Sequence, residues 1–565
     1  MAPKSEQTIG WKTQAERLRA AVAASAGSPA GAALQAALKA LAAGNLALAA
    51  ERAREAVRAD SSCAVGWRLL ALGLEGQGEM IAALEAYQAA HEADPAAADL
   101  LSDLSRLAAS LGSFDVAAEF AARALAAEPG SAPLAGQLAM ALRGAHRYGE
   151  AIEVLRAAIT ADAGDAFLWN ALGSVLLQQG DTDNALIFLD QALTLEPGRV
   201  EALCNRARAR LELGDGTGAL ADCAAALARA SAGQRSEALF IRALARLDSG
   251  DLAGGWADYE ARLSPDLART PSFSLPGRRW AAGDGLDGKA LLVVGEQGLG
   301  DEIMFAGVIP DVTEALGAGG TLSLAVAPRL VELFHRSFPS ARVSAHETAT
   351  VAGRPLRTAP GAGVDADFWA PMGSLPRRFR PDLASFERAA GYLRPDPGKA
   401  EAWRRALAAI DGRPKIGLSW KSMKTSGDRL KQYPAFDAWE RLLATPGVSF
   451  VNLQYGDCGA ELARARDLGV EIWNPPGLDL TNDIDGAAAL SSAVDLVIGV
   501  GNASTNLAGA VGVPVWISAA PFAWPRLGAE NYPWFPKTRV FAAARFGDWG
   551  PVVDAIAQAL GARFG

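Results

Sequence analysis

One spacing constrains this chain more than any other feature: a period of 34 residues. Between about Ala32 and Arg262, alanine recurs at Ala83, Ala117, Ala151, Ala185 and Ala219, and again at Ala90, Ala124, Ala158, Ala192 and Ala226. Pro95, Pro129 and Pro197 share one phase of this period, and Trp67 and Trp169 lie three periods apart. A fixed period of this length marks stacked helical units that bury a continuous core only together. Small residues at fixed phase let paired helices approach, and the proline ends the second helix of a unit. About five well-phased units span about 64–231, and a weaker one precedes them at about 30–62. A shifted unit containing Arg242, Ala243, Gly250, Trp256 and Tyr259 comes after an insertion around 231–235.

The pattern Trp169, Leu172, Gly173, Gly180, Ala185, Ala192, Pro197 resembles the consensus of the tetratricopeptide repeat. The resemblance implies an α-solenoid over 31–262, entered through a helical lead-in at 1–30, whose concave face binds a peptide or protein segment. Asn170 and Asn205 fall on first helices of their units. They are suited either to bonding a peptide backbone or to serving as ordinary surface amides.

Past the repeats the pattern changes. Residues 263–287 form a connector with proline and glycine, but Phe273, Leu275 and Trp280 make it too apolar for a free linker. It is expected to lie against the C-terminal half of the chain. From there strands and helices alternate in two successive halves, 288–395 and 396–565, as in parallel α/β sheets. Expected strands are Ala290–Val294, Thr321–Val326, 367–370, Lys415–Trp420, 448–454, Leu496–Val500 and 513–518. Helices are expected at 329–338, 395–411 and 487–494. Ligands of such sheets sit at the carboxyl ends of the strands.

Two corners stand out. In the first half the strand Ala290–Val294 runs into Gly295, Gly298 and Gly300, a turn that would let the backbone pass close to a ligand, and then into Asp301 and Glu302 at a helix start. The spacing is G-x-x-G-x-G, not the G-x-G-x-x-G of dinucleotide sites, and two carboxylates there would repel a pyrophosphate. Asp301 reads as a general base for a substrate hydroxyl or, equally, as a helix-capping acid. In the second half Leu496–Val500 leads into Gly501, Asn502, Ala503, Ser504, Thr505 and Asn506, a helix start with no acid in its first turn and suited to a phosphate. Lys421, Lys424, Arg429 and Lys431 come after another strand and either face the same ligand or form a solvated basic loop.

The net charge of −9 argues against a nucleic-acid-binding surface. Cys63, Cys204, Cys223 and Cys458 show no paired spacing, so neither a disulfide framework nor a zinc site is indicated. No window reaches the roughly 18 uninterrupted apolar residues of a membrane span, and no signal-peptide core is present, so a soluble cytoplasmic protein is expected. His91, His146, His335 and His346 all precede the second half, which excludes a histidine triad built from it. Asp365–Asp367 and Asp483–Asp485 spell D-x-D, a match expected by chance among 63 acids.

The segments VVGEQGLGDEIMFA, MGSLPRRF, IGLSWKS, VNLQYGD and DLTNDIDGAAALSSAVDLVIGVGNASTNLAGAVGVPVW resemble the catalytic region of bacterial tetratricopeptide glycosyltransferases. These are similar to the heptosyltransferases and to the O-linked N-acetylglucosamine transferases of GT-B fold. Within that group the chain is most like the flagellin-modifying enzymes that place a nonulosonic acid on Ser or Thr. The resemblance implies a GT-B glycosyltransferase with two Rossmann-like lobes, in which Asp301 is the general base. Lys421 and Arg429, with Gly501, Asn502, Ser504, Thr505 and Asn506, would bind the donor.

Where the family usually reads Asp-Thr-Ser-x-x-His, this chain has Gly501-Asn502-Ala503-Ser504-Thr505-Asn506, so acid and imidazole are both absent. The donor that fits is a CMP-linked acidic sugar such as pseudaminic acid, repelled less by a loop without its acid, with no metal or other cofactor required. The expected partners are a nucleotide sugar and flagellin, or another secreted Ser/Thr-bearing protein. Two other readings stay open: a non-catalytic adaptor or flagellin chaperone with a relic transferase domain, and a lipopolysaccharide-type saccharide transferase.

Overall fold

The computed structural model describes residues 4–95, 97–267, 270–351, 354–362, 365–386, 391–423 and 432–564. Among these, fifteen helices run from Lys4–Ala24 to Leu252–Tyr259, a lead-in and then seven antiparallel pairs. The 34-residue period is visible in the backbone. Gly44, Gly78, Gly112, Gly180 and Gly214, at the turn inside successive pairs, have φ of 71°, 83°, 78°, 100° and 84°, and His146 holds the same place with φ 61°. Left-handed backbone costs a side-chain-bearing residue about 1 kcal/mol, so glycine dominates that position. Helix approach explains the small residues: a Cβ on Gly173 would lie 2.7 Å from Leu189 Cγ, and one on Gly73 2.8 Å from the backbone nitrogen of Ala50.

Neighbouring units are also tied by polar bonds about one period apart. Arg68 Nε donates to Asp103 Oδ2 at 2.6 Å, Ser102 Oγ to Gln137 Oε1 at 2.6 Å, and Asn205 Nδ2 to Asn170 Oδ1 at 2.9 Å. Asn170 and Asn205 thus bond each other, and Asn170 is buried; their amides are part of the solenoid's own ladder.

The rest of the described chain forms two lobes, each on a parallel sheet. The first sheet has the order β2-β8-β3-β4-β5, with β2 at Arg278–Arg279, β3 at Ala290–Val294, β4 at Thr321–Val326, β5 at Arg342–Ala345 and β8 at Phe368–Pro371. The second has the order β11-β10-β9-β12-β13-β14, with β9 at Lys415–Ser419, β10 at Ser449–Asn452, β11 at Ile472–Trp473, β12 at Leu496–Val500, β13 at Val515–Ala519 and β14 at Thr538–Ala542. The chain order reverses between β8 and β3 in one sheet and between β9 and β12 in the other. Ligands of open α/β sheets lie beyond the carboxyl ends of strands at such switch points, and both corners sit directly after a switch-point strand.

A small side sheet, β1-β7-β6, joins β1 (Ser272–Phe273) in parallel to β7 (Arg354–Thr358), which pairs antiparallel with β6 (Glu347–Val351). It was not expected from sequence: β6 is exposed along its length, so no buried face marks it. The helix expected at 329–338 is a 3-10 turn, Pro328–Leu330, leading into the helix Val331–Ser337. The 263–287 connector packs as its aromatic residues require: Trp280 is buried in the main core, and Phe273 stacks against Trp369.

That core does not respect the change in sequence pattern. Leu247, Trp256 and Tyr259 of the last helix pair belong to one buried apolar cluster with Val293 and Phe305 of the first lobe and Ile517 and Trp534 of the second. The indole of Trp256 donates to the carbonyl of Arg380 at 2.8 Å, and Ala523 N donates to Asp248 Oδ1 at 3.2 Å. The end of the solenoid is therefore built into the two-lobed body.

Candidate functional site

A cavity of about 620 Å³ lies between the lobes. It brings together Gly298, Gly300 and Asp301 from the first corner with Gly501, Asn502, Ser504 and Asn506 from the second. The volume is ample for a nucleotide-sized ligand.

In the first corner, Asp301 is a helix-capping acid that also lines the cavity. Its Oδ2 accepts the N–H of Gly298 at 3.1 Å, a cap at the N-terminus of the helix Leu299–Phe305, while the residue lines the cavity. Of the three glycines, Gly298 and Gly300 line the cavity and Gly295 departs from expectation. None of Gly295, Gly298 and Gly300 has positive φ, and Gly295 does not line the cavity. A Cβ on Gly295 would lie 2.3 Å from the carboxyl carbon of Glu302, so this glycine makes room for that buried acid rather than for a ligand. A Cβ on Gly300 would lie 3.4 Å from Ala503. Gly300 therefore marks the crossing of the two corner helices, Leu299–Phe305 and Ala503–Ala510, which pack on each other.

The loop after β3 is also pinned from the solenoid side. Arg262, in the turn that ends the last helix pair, donates through Nη2 to buried Glu296 Oε1 at 2.8 Å, and Gln297 Nε2 donates to Tyr259 Oη at 2.9 Å. Burial raises the Tyr259 phenol above its ordinary pKa, so it stays a neutral hydrogen-bonding group.

In the second corner, Asn502 caps the Ala503–Ala510 helix: its Oδ1 accepts Thr505 N–H at 3.1 Å, and its Nδ2 donates to Ser419 Oγ at 2.8 Å and Lys421 O at 3.1 Å. Of the donor-binding expectations, Gly501, Asn502, Ser504 and Asn506 line the cavity, and those for Thr505 and Lys421 need correction. Thr505 is fully buried, its hydroxyl donating to Val500 O at 2.8 Å, so it closes the cap instead of facing a ligand. The Ser504 hydroxyl donates to Leu453 O at 2.8 Å, and the Asn506 amide to Gly300 O at 2.9 Å across the lobes. Lys421 does not line the cavity; its ammonium is paired with Glu461, and its backbone N–H is held by Gln454 Oε1 at 2.9 Å. What the corner offers a ligand is backbone: the amides of Ala503 and Ser504 have no partner among the described residues. Lys424, Arg429 and Lys431 lie outside the described residues.

Neither D-x-D match is a ligand set. Asp367 Oδ2 accepts Ala290 N–H at 2.8 Å, Asp483 Oδ1 caps a helix through Gly486 N–H at 2.7 Å, and Asp485 is paired with Arg336 and Lys399. Among the described residues no group of three or more His, Cys, Asp or Glu side chains could hold a metal ion.

Sequence reasoning missed one cluster in the wall. Glu302, His346 and Arg357 all line the cavity, and each is more than nine-tenths buried. Glu302 Oε2 accepts Ala327 N–H at 2.8 Å, and its Oε1 lies 3.2 Å from His346 Nε2. Arg357 Nη1 donates to Gly295 O at 2.9 Å and to His346 Nε2. Burial draws the Arg357 guanidinium below its ordinary pKa against the pull of Glu302 and Glu296. The only sequence signal was a histidine and an arginine in a polar stretch, which no periodicity singles out.

Fold and site define a class: a helical-repeat solenoid built into a two-lobed parallel α/β body with a ligand-sized cleft between the lobes. Residues 137–200 match the tetratricopeptide repeat family. The chain is 43% identical over 505 residues to Protein FlbA of Caulobacter vibrioides, an alignment that covers 89% of this chain and 85% of FlbA, and it belongs to the FlbA family. Similar solved structures include a tetratricopeptide repeat protein from Parabacteroides merdae, 15% identical, covering 41% of this chain and 91% of that one with a TM-score of 0.37. PilF of Pseudomonas aeruginosa is 17% identical, covering 37% and 96% with a TM-score of 0.31. No helix among the described residues is long and apolar enough to cross a membrane.

Proposed function

We propose that this protein is a cytoplasmic protein O-glycosyltransferase of GT-B type that moves a nonulosonic acid such as pseudaminic acid from a CMP-linked donor to Ser or Thr of flagellin held by the solenoid. The observation that carries this reading is the pairing inside one cavity: a carboxylate, Asp301, on one lobe, and a helix start whose backbone N–H groups at Ala503 and Ser504 have no partner among the described residues, on the other. The Asp301 carboxylate takes the proton of the acceptor hydroxyl as its oxygen attacks the anomeric carbon. The bond from that carbon to the phosphate oxygen breaks, and the departing nucleotide keeps the electron pair at the helix N-terminus. No residue of this scheme requires a metal. The last helix pair, tied to the same loop through Arg262 and Tyr259, favours an acceptor delivered along the solenoid.

The test is the intact mass of flagellins from cells carrying the wild-type protein, Asp301→Asn, or a solenoid truncated before the shared core, at residue 230. Loss of one fixed sugar-sized mass in both variants supports transfer, and the mass points to the donor. Equal masses in all three would leave an adaptor role or another acceptor.

A further inference from the structure

The cavity wall holds a guanidinium whose most useful edge is unused. Of the Arg357 nitrogens, Nη1 donates to Gly295 O and to His346 Nε2, whereas neither Nε, which is buried, nor Nη2 has a partner among the described residues. Nε and Nη2 form the fork that binds a carboxylate or phosphate through two parallel hydrogen bonds. His346 adds a third unmatched group. His346 Nε2 lies between Arg357 Nη1 and Glu302 Oε1, and its Nδ1 is buried without a partner among the described residues. Leaving a buried donor such as Arg357 Nε unpaired is costly, and the fork calls for an acceptor.

Three separate elements converge to build this. His346 comes directly after β5, Arg357 sits in β7 of the side sheet, and Glu302 lies on the first corner helix next to Asp301. Glu302 offsets the buried cation while the fork is empty. The phosphate-type donors belong to the other lobe, at Ala503 and Ser504. With a nucleotide phosphate at the second corner, the sugar part of the donor would cross to the first lobe, whose wall of the cavity carries both Asp301 and Arg357.

We propose that the Arg357 fork, assisted by His346, binds the carboxylate of an acidic donor sugar and selects carboxylate-bearing sugars over neutral ones. The assignment rests on the reading of the cavity as a nucleotide-sugar site. The experiment is isothermal titration of the full-length chain with three probes: CMP, CMP-N-acetylneuraminate, and the methyl ester of that acidic sugar nucleotide. In the wild type the free acid is expected to bind about 10- to 100-fold more tightly than the ester, the range for a charge-assisted forked pair.

Arg357→Gln is expected to bring acid and ester within about 2-fold of each other, with CMP affinity unchanged. Arg357→Lys, which keeps a charge without the fork, should fall between. Unchanged CMP binding reports that each variant is folded; if Arg357→Gln fails that check, Arg357→Lys and His346→Gln carry the comparison. Equal binding of acid and ester by the wild type overturns the assignment while leaving the nucleotide-sugar reading intact. A preference that survives Arg357→Gln also overturns it. No binding of CMP at all overturns the reading of the cavity itself, and the assignment with it.

Discussion

The two corners that face each other across the cleft are built alike and charged differently. Each is a buried parallel strand, a short glycine-containing turn and a helix whose N-terminus is closed by its own side chain. The first is closed by an acid, Asp301, bonded to Gly298, and the second by an amide, Asn502, bonded to Thr505. They meet where Gly300 packs on Ala503 and Asn506 reaches back to Gly300. The same local design thus supplies a carboxylate on one wall and backbone N–H groups on the other. The capping residue decides the chemistry of such a corner: an acid at the cap adds negative charge where an anion would otherwise sit, and a neutral amide leaves the helix end positive.

The largest expected effect is on the acidic side. Asp301→Asn keeps an acceptor for the Gly298 N–H but cannot take a proton, so sugar transfer should fall by roughly 100- to 10,000-fold while the melting temperature barely moves; a rate and a thermal melt on the same preparation check it. If activity survives, Asp301 is only a cap and the contrast between the corners is structural. On the neutral side the balance reverses. Asn502→Ala removes a cap and one bond each from Ser419 Oγ and Lys421 O, which keep Gln454 as partner, a loss of about 1–2 kcal/mol of stability measurable by urea unfolding.

Gly295→Ala should cost about 1–3 kcal/mol, because the added methyl displaces Glu302 from Ala327 N–H. In a double-mutant cycle, Gly295→Ala and Glu302→Ala should be non-additive by more than about 0.5 kcal/mol. Asn506→Ala breaks one bond between the corners and should lower stability by about 1 kcal/mol, with a larger effect on transfer than on melting if that bond sets the lobe spacing.

The smallest effect is on pH dependence. Burial pushes the Asp485 carboxyl up, but hydrogen bonds from Arg336 and Lys399 outweigh it and hold the group below its usual range. A carboxylate with a depressed folded-state pKa stabilises above the unfolded value of about 3.9 and loses that contribution as pH falls through and below it. Wild type should therefore lose more melting temperature than Asp485→Asn on going from pH 5 to pH 3.

How much of this was legible beforehand depends on the range of each interaction. The solenoid could be read because its contacts repeat every 34 residues, so the same alanine, glycine and proline positions report the same packing. Both corners could be read as strand, turn and helix start for a similar reason: the signals lie within ten residues of one another. The purpose of individual atoms was not legible. Whether Thr505 faced a ligand or closed a cap depended on Val500 O and Asn502, and whether Lys421 was available depended on Glu461, forty residues on.

The helical repeats, the alternation of strands and helices behind them, and the two strand-turn-helix corners are all products of local periodicity and backbone preference, and the linear chain is enough to specify them. Long-range packing alone sets three other features: the last helix pair shares one core with both lobes, Gly295 makes room for an acid, and Glu302, His346 and Arg357 meet in the cleft wall. A pattern along one element records which face is buried. Which groups are paired or left unpaired there is set by segments packed from elsewhere in the chain, and nothing local encodes that.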